Sequence, residues 1–234
     1  MINYHFFGRD CFIDNNLNER NDLNQKLRAL EFKLNEVMIV NQVHGSEVIL
    51  IDNPSKILPT FNLPKADGIV TNLKNLPLGI VTADCAPVVF FDVQNSIIGA
   101  CHAGWRGAKL GIIEATVKKM RAIGAEEITA IIGPTIQQYS YEVSQDFYDD
   151  FLTTDKNYLK FFKKHKNDAK NQPKWLFDLP SFVAEKLLQA KVDNIENLAI
   201  DTYTNPAKYF SYRYSRFTNE SDSGRNVSVI SINE

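Results

Sequence analysis

Four short segments combine reactive side chains with tight-turn residues: 41–45 (NQVHG), 82–87 (TADCAP), 101–107 (CHAGWRG) and 132–135 (IGPT). In the first three, an apolar run rich in β-branched residues ends at a His or Cys. Strand ends are where α/β folds usually place sites, because the scaffold fixes the residue while the adjoining loop leaves it accessible. One thiol and two imidazoles, Cys85 with His44 and His102, permit two chemistries. An imidazole base can activate a thiolate nucleophile. Alternatively, a thiolate and two imidazoles can hold a catalytic zinc whose fourth position carries a water with its pKa lowered to about 7. The three residues lie 41 and 17 positions apart, with no C-x-x-C or H-E-x-x-H pattern among them. By spacing alone a metal site, a Cys–His hydrolase and a structural thiol beside unrelated histidines all stay open. Cys101 precedes His102 in an apolar run, so strand alternation turns it to the opposite face, as a packed core thiol.

The glycines near His102 have a mechanical reading. Gly104 and Gly107 flank Trp105-Arg106 just ahead of a helical pattern. Backbone N–H groups there could face an anion, with the planar fork of Arg106 beside them. The bland alternative is a tight turn with Arg106 paired to a carboxylate. The run is neither G-x-G-x-x-G nor G-x-x-x-x-G-K-S/T, so no dinucleotide or P-loop motif is present. Gly79 and Gly99 fall within strand patterns and read as sites of close packing.

These segments sit in an unusual window. Eight of the 11 glycines lie between Gly68 and Gly133, and residues 66–108 carry only five charges in 43 positions, half the chain's 23%. Such a stretch, holding two of three cysteines, reads as a buried site. The elements around it follow from periodicity. Leu23, Leu27 and Leu30 predict an amphipathic helix over 19–32. Apolar runs at 37–43, 48–51, 68–71, 78–82, 88–92 and 97–101 predict strands separated by Pro, Gly, Asn and Asp. Leu110, Ile113, Val117 and Met120 mark one helix face, with Gly124 as a C-terminal cap. A strand at 127–132, helices at 144–152 and 179–190, and strands near 197–203, 208–214 and 226–232 complete the chain. Strands outnumber helices and come in runs. This predicts an α/β (α+β) sandwich of mixed sheets with flanking helices, in one domain over 1–234, rather than a doubly wound fold.

Composition excludes several classes. A net charge of −2 gives no bulk attraction for nucleic acid or an acidic membrane. No run approaches the ~20 apolar residues of a membrane helix. The first residues, MINYHFFGRDCF, lack a basic start followed by a long apolar stretch, and three cysteines are too few for a disulfide scaffold. A cytoplasmic protein with reduced thiols is expected. Residues 155–174 carry seven lysines; a polyanion patch is one reading, and a solvated helix and loop with Phe161 and Phe162 packing inward is the plainer one.

Together, QVHG, ADGIVTN, TADCAPV, CHAGWRG, GPTI, YEV and FSYRYS–SGR, in this order, resemble the multicopper polyphenol oxidase (laccase-like) family, also described as zinc-dependent purine nucleoside phosphorylases and adenosine deaminases. The resemblance runs from about residue 37 to 232. It implies that His44, Cys85 and His102 are zinc ligands, one ion per chain, with copper the less favoured metal. It implies phosphorolysis of adenosine, inosine and methylthioadenosine, deamination of adenosine, and purine nucleosides and phosphate as the partners of a monomer or homodimer. Arg106 is then the expected phosphate holder, and Asp84 orients a ligand or carries a proton. Two departures stand out. Phe6-Phe7-Gly8-Arg9-Asp10 is the only counterpart of the family's longer Thr-Thr-Arg-x-Gly-Gly segment, which leaves Arg9 as its phosphate-approaching residue, and Asp201 stands where many members have Cys. The other readings are a copper-dependent polyphenol oxidase, a Cys hydrolase or amidase acting on cell-wall precursors with Cys85 as nucleophile, and a non-enzymatic partner in cell division or wall maintenance.

Overall fold

A computed structural model of the protein describes residues 1–14, 37–57, 63–166, 172–219 and 224–233. The helix expected at 19–32 lies outside them. In chain order the strands are β1 (Ile2–Asp14), β2 (Val48–Ile51), β3 (Gly68–Thr71), β4 (Leu78–Thr82), β5 (Ala86–Asp92) and β6 (Ile97–Ala103). Two helices follow, α1 (Trp105–Leu110) and α2 (Ile112–Ala122), then β7 (Thr129–Ile132) and β8 (Glu142–Ser144). The remainder is α3 (Gln145–Thr154), β9 (Phe162–Lys164), β10 (Lys174–Phe177), α4 (Leu179–Gln189), β11 (Asn194–Asn197), α5 (Tyr212–Thr218) and β12 (Gly224–Ile232).

The central sheet has six strands in the order β11-β7-β5-β6-β3-β2. Its outer pairs, β11 with β7 and β2 with β3, are parallel, and its inner pairs are antiparallel. A mixed sheet of short strands arriving in runs is what the sequence pattern predicts. A second sheet, β1-β12-β4, is antiparallel throughout. Alternation along the central strands sorts the core into two layers. Ile69, Val89, Ile98, Ala100 and Ile131 pack with Leu78, Ile80, Ile230 and Ile232 of the second sheet. Val70, Val88, Phe90, Cys101 and Ile132 face the other way, onto Ile113, Val117 and Met120 of α2 and Phe182, Val183 and Leu187 of α4. Burying a Val, Leu, Ile or Phe side chain is worth about 1.5–3 kcal/mol, so the central sheet is held from both faces. Cys101 is fully buried on the helix side, opposite in parity to His102.

Several elements differ from expectation for identifiable reasons. The N-terminal segment forms β1, paired antiparallel with β12 and broken by a register shift between Phe7 and Phe12; its aromatic, irregular alternation hides a strand. The run at 37–43 makes only isolated bridges at Met38 and Asn41, because residues 37–40 plug into the core around an irregular path while Val43 is exposed. Residues 208–214 are not a strand: Ser211 caps α5 by accepting a hydrogen bond from Tyr214 N, which overrides the apparent alternation of FSYRYS. The strand expected at 197–203 occurs earlier, as β11, and only Asp201 makes a bridge beyond it. Within the lysine-rich segment a 3₁₀ turn (Lys156–Phe161) and β9 bring Phe161 and Phe162 against Phe151, Phe177 and Phe182, while β9 pairs with β10. No helix of the described residues is long and apolar enough to cross a membrane.

Candidate metal centre

Three chain segments meet at one end of the strands of the central sheet. His102 sits near the end of β6, inside the strand rather than beyond it. Cys85 lies in the short connection between β4 and β5. His44 belongs to the loop ahead of β2 and adopts a left-handed φ of 59°. Their donor atoms all lie within 4.8 Å of one another. The thiol sulfur of Cys85 is 3.9 Å from His44 Nε2, and the two imidazole rings cross edge to face with centroids 4.6 Å apart. Zinc bonds of about 2.3 Å to sulfur and 2.0–2.1 Å to nitrogen place tetrahedral S and N ligands roughly 3.6 Å apart. The observed spacing therefore fits a transition-metal ion with small adjustments, and the soft–borderline donor set suits zinc or copper.

Asp67, fully buried at the start of β3, organises this cluster. Its Oδ1 lies 2.8 Å from His102 Nδ1 and accepts from His44 N at 2.9 Å; its Oδ2 accepts from Gly45 N at 2.7 Å and Val43 N at 3.2 Å. An ionised carboxylate can only accept, so Nδ1 carries the proton and Nε2 is left as the ligand atom. One side chain thus fixes the tautomer of one histidine and the backbone of the other. Burial alone would push Asp67 up, but the hydrogen bonds from His102, Gly45 and Val43 outweigh it and hold its carboxyl below the usual range. At Cys85 burial likewise opposes ionisation, and the nearby His102 and His44 overcome it, pulling the thiol down to about 6. His102 rises in turn, since Cys85 and Asp67 outweigh its own burial. Cys101 moves oppositely: burial pushes its thiol up, as expected of a core residue.

Gly104 is required here for space. A Cβ at this position would come within 2.7 Å of Cys85 Sγ and 3.3 Å of His44 Cδ2. Gly107 lets α1 approach the His44 loop, where a Cβ would lie 3.0 Å from Gly45 O. Gly79 and Gly99 allow close packing, against Val37 and Met120 respectively.

A cavity of about 690 Å³ opens from the three ligands. Trp105, Tyr141, Asp84 and three arginines, Arg213, Arg216 and Arg225, share its wall with them. Asp84 has a left-handed φ of 85°, and four hydrogen bonds hold it there. Its carbonyl accepts from Thr135 Oγ1 at 2.6 Å and Ile136 N at 3.0 Å; Oδ1 accepts from Thr202 Oγ1 at 2.7 Å and Oδ2 from Arg213 N at 2.6 Å. Burial raises its pKa despite these bonds. Asp84 therefore ties the Cys85 loop to the first turn of α5.

Of the residues singled out from sequence, His44, Cys85, His102 and Asp84 converge on this cavity. Arg106 and Arg9 do not line it. Arg106 points to solvent from α1, because Trp105 takes the inward-facing position of that turn. Arg9 is also exposed, with its guanidinium 4.3 Å from the Phe210 ring centroid. Asp201 accepts from Gln137 N, Tyr203 N and Ser140 Oγ, a loop clamp away from the ligands. The residues that sequence reasoning passed over are Asp67, Tyr141, Arg213, Arg216 and Arg225. Asp67 was one of five charges in the charge-poor window, a usable signal; the arginines had none beyond lying in FSYRYS and SGR.

A family model described as "Multi-copper polyphenol oxidoreductase laccase" matches residues 12–233. A protein of Rickettsia conorii named purine nucleoside phosphorylase is 41% identical over 203 residues, covering 86% of this chain and 81% of that protein. Another of that name, from Xylella fastidiosa, is 33% identical over 179 residues, covering 76% of this chain and 66% of its own length. Among solved structures, a Neisseria meningitidis protein superposes with a TM-score of 0.79 at 24% identity, covering 100% of this chain and 95% of that one, a likeness of fold. The His-Cys-His group that could hold a metal, the mixed-sheet sandwich around it and these similarities agree: the chain belongs to the multi-copper polyphenol oxidoreductase laccase family.

Proposed function

We propose that this protein is a zinc-dependent purine nucleoside phosphorylase. It cleaves adenosine, inosine and methylthioadenosine with phosphate, releasing the free base and the sugar 1-phosphate, and it also deaminates adenosine to inosine. The observation that carries the reading is the convergence of His44, Cys85 and His102 on a cavity that arginines also line. Relatives named purine nucleoside phosphorylase support it.

In phosphorolysis the bond between the anomeric carbon and the purine nitrogen breaks, and a phosphate oxygen bonds to that carbon. Positive charge develops on the sugar while the base leaves with the electron pair. A zinc ion held by one thiolate and two neutral imidazoles would supply Lewis-acid chemistry beside the substrate. Asp67 keeps His102 in the tautomer that presents Nε2, and its bonds to residues 43–45 fix His44. Trp105 and Tyr141 give the cavity aromatic walls suited to a purine and a ribose. The Tyr141 phenol, pushed up by burial and by Cys85, stays protonated and so available as a hydrogen-bond donor. A multicopper oxidase centre needs more imidazoles than the four histidines of this chain, of which His5 and His165 lie outside the ligand group.

The test is incubation of the zinc-loaded protein with adenosine, with and without phosphate, while adenine, inosine and hypoxanthine are followed. Adenine formed only with phosphate is expected, and inosine in both arms reports deamination. No product from any purine nucleoside refutes the proposal.

A further inference from the structure

Phosphorolysis needs an anion held beside the sugar, and neither arginine suggested by the sequence reaches the cavity. We infer that Arg213, Arg216 and Arg225 form the subsite for inorganic phosphate. This assignment rests on the phosphorolytic reading above.

Three guanidinium groups line one cavity together with a single carboxylate, Asp84. That carboxylate accepts from Thr202 Oγ1 and Arg213 N, and its single charge offsets only part of the positive charge of Arg213 and Arg216. Neither Arg213 nor Arg216 forms an ion pair with a carboxylate among the described residues. Arg213 and Arg216 set against the one carboxylate of Asp84 leave a net positive charge at the cavity wall that calls for compensation. A phosphate supplies it and matches the guanidinium fork bidentately.

The scaffold fixes the first of the three. Ser211 caps α5, and Asp84 holds Arg213 N at 2.6 Å, so the helix start is tied to the loop that carries Cys85. The Arg213 side chain donates through Nη2 to Glu142 O at 2.9 Å and lies 5.5 Å from the centre of the Tyr141 ring. A guanidinium has five N–H donors, so others remain for a ligand. Arg216 stands three residues further on, on the same helix face. Arg225 approaches from the start of β12, where its Nη1 donates to Gly224 O. Metal ligands and arginines thus occupy different elements around one space, which lets a nucleoside lie between them.

The experiment titrates inorganic phosphate into the zinc-loaded protein by calorimetry, without nucleoside, for the wild type, R213M, R216M and R106M. Phosphorolysis kinetics run in parallel. R213M should weaken phosphate roughly tenfold or more, and the exposed Arg216 contributes a smaller factor. The KM for phosphate should rise by matching factors, while the zinc content and the KM for nucleoside change little. R213K, which keeps the charge but loses the fork, should recover part of the affinity. R216M, at an exposed position, keeps the test valid if R213M folds poorly. Wild-type affinity for phosphate in both R213M and R216M overturns the assignment, as does loss confined to R106M. Absence of phosphate binding in the wild type overturns it too. Phosphate that binds and is lost in the arginine variants, with no nucleoside cleaved, leaves the subsite standing and refutes phosphorolysis instead.

Discussion

Asp67→Asn is the sharpest perturbation of the candidate metal centre, because it changes one charge without changing shape. Asp67 accepts four hydrogen bonds, two on each oxygen. An asparagine keeps one oxygen and replaces the other by an NH2 group that faces N–H donors. In one orientation it loses Gly45 and Val43; in the other it loses His102 and His44. Two bonds to a charged acceptor at about 1.5 kcal/mol each give about 3 kcal/mol of lost stability in the metal-free protein. The Asp67 carboxyl titrates below its ordinary value of 3.8 in the folded state. Its contribution is therefore complete above the unfolded value and fades as pH falls through the folded one, so the gap between wild type and D67N should close under strong acid. Loss of such an outer partner typically weakens a metal by 10–100-fold, about 1.4–2.7 kcal/mol. Competition with a chromogenic chelator measures that factor, and thermal unfolding measures the stability. Asp92 provides the control: it is equally buried and accepts from Asn95, Glu126 and Glu127, far from the ligands. D92N should destabilise the fold yet hold zinc like the wild type. Metal affinity in D67N within about threefold of the wild type would refute the role given to Asp67.

Gly104→Ala leaves every donor atom in place but sets a methyl group 2.7 Å from Cys85 Sγ; zinc affinity should fall at least tenfold in the chelator assay, and unchanged affinity would show that the loop gives way freely. In the metal-free protein at pH 7, a Cys85 thiol at about 6 is about 90% thiolate, so iodoacetamide should label it alone, with Cys11 and Cys101 protected by burial. Bound zinc should block that labelling; modification at equal rates with and without zinc, read by peptide mass spectrometry, would refute the ligand role of Cys85. Asp84→Ala should cost about 2–3 kcal/mol by orphaning Thr202 and the Arg213 amide. Asp84→Asn should cost under about 1 kcal/mol, since the Thr202 hydroxyl can turn to accept; turnover retained in D84N marks Asp84 as a positioning residue, and turnover abolished in a folded D84N marks it as a proton carrier.

The sandwich was legible in the sequence because its evidence is local. Short β-branched runs between Gly, Pro and Asn predict most central strands, and Ile113, Val117 and Met120 predict the buried face of α2, whereas Leu110 ends α1 before the left-handed Gly111 and is exposed. Where a local device beats periodicity the reading fails, as when Ser211 caps α5 within an alternating segment. Long, irregular pairing fails too: β1 finds β12 across almost the whole chain, and no local pattern encodes that partner.

The sequence by itself determined the reactive inventory: one accessible thiol and two histidines at strand ends, with Cys101 set apart by alternation. It also singled out the glycines, though not their purpose, since the need for empty space at Gly104 exists only when Cys85 and His44 arrive beside it. Tertiary structure decided which charged groups serve the site. Arg106, only four residues beyond His102, turns outward with the helix, whereas the Arg213 amide reaches Asp84 across 129 residues. Asp67 holds both histidines through bonds spanning 23 and 35 residues. Covalent neighbours share a helix or strand, whose geometry sends successive side chains in different directions. A polar site draws its partners from whichever elements the buried core brings together, and only the folded chain specifies them.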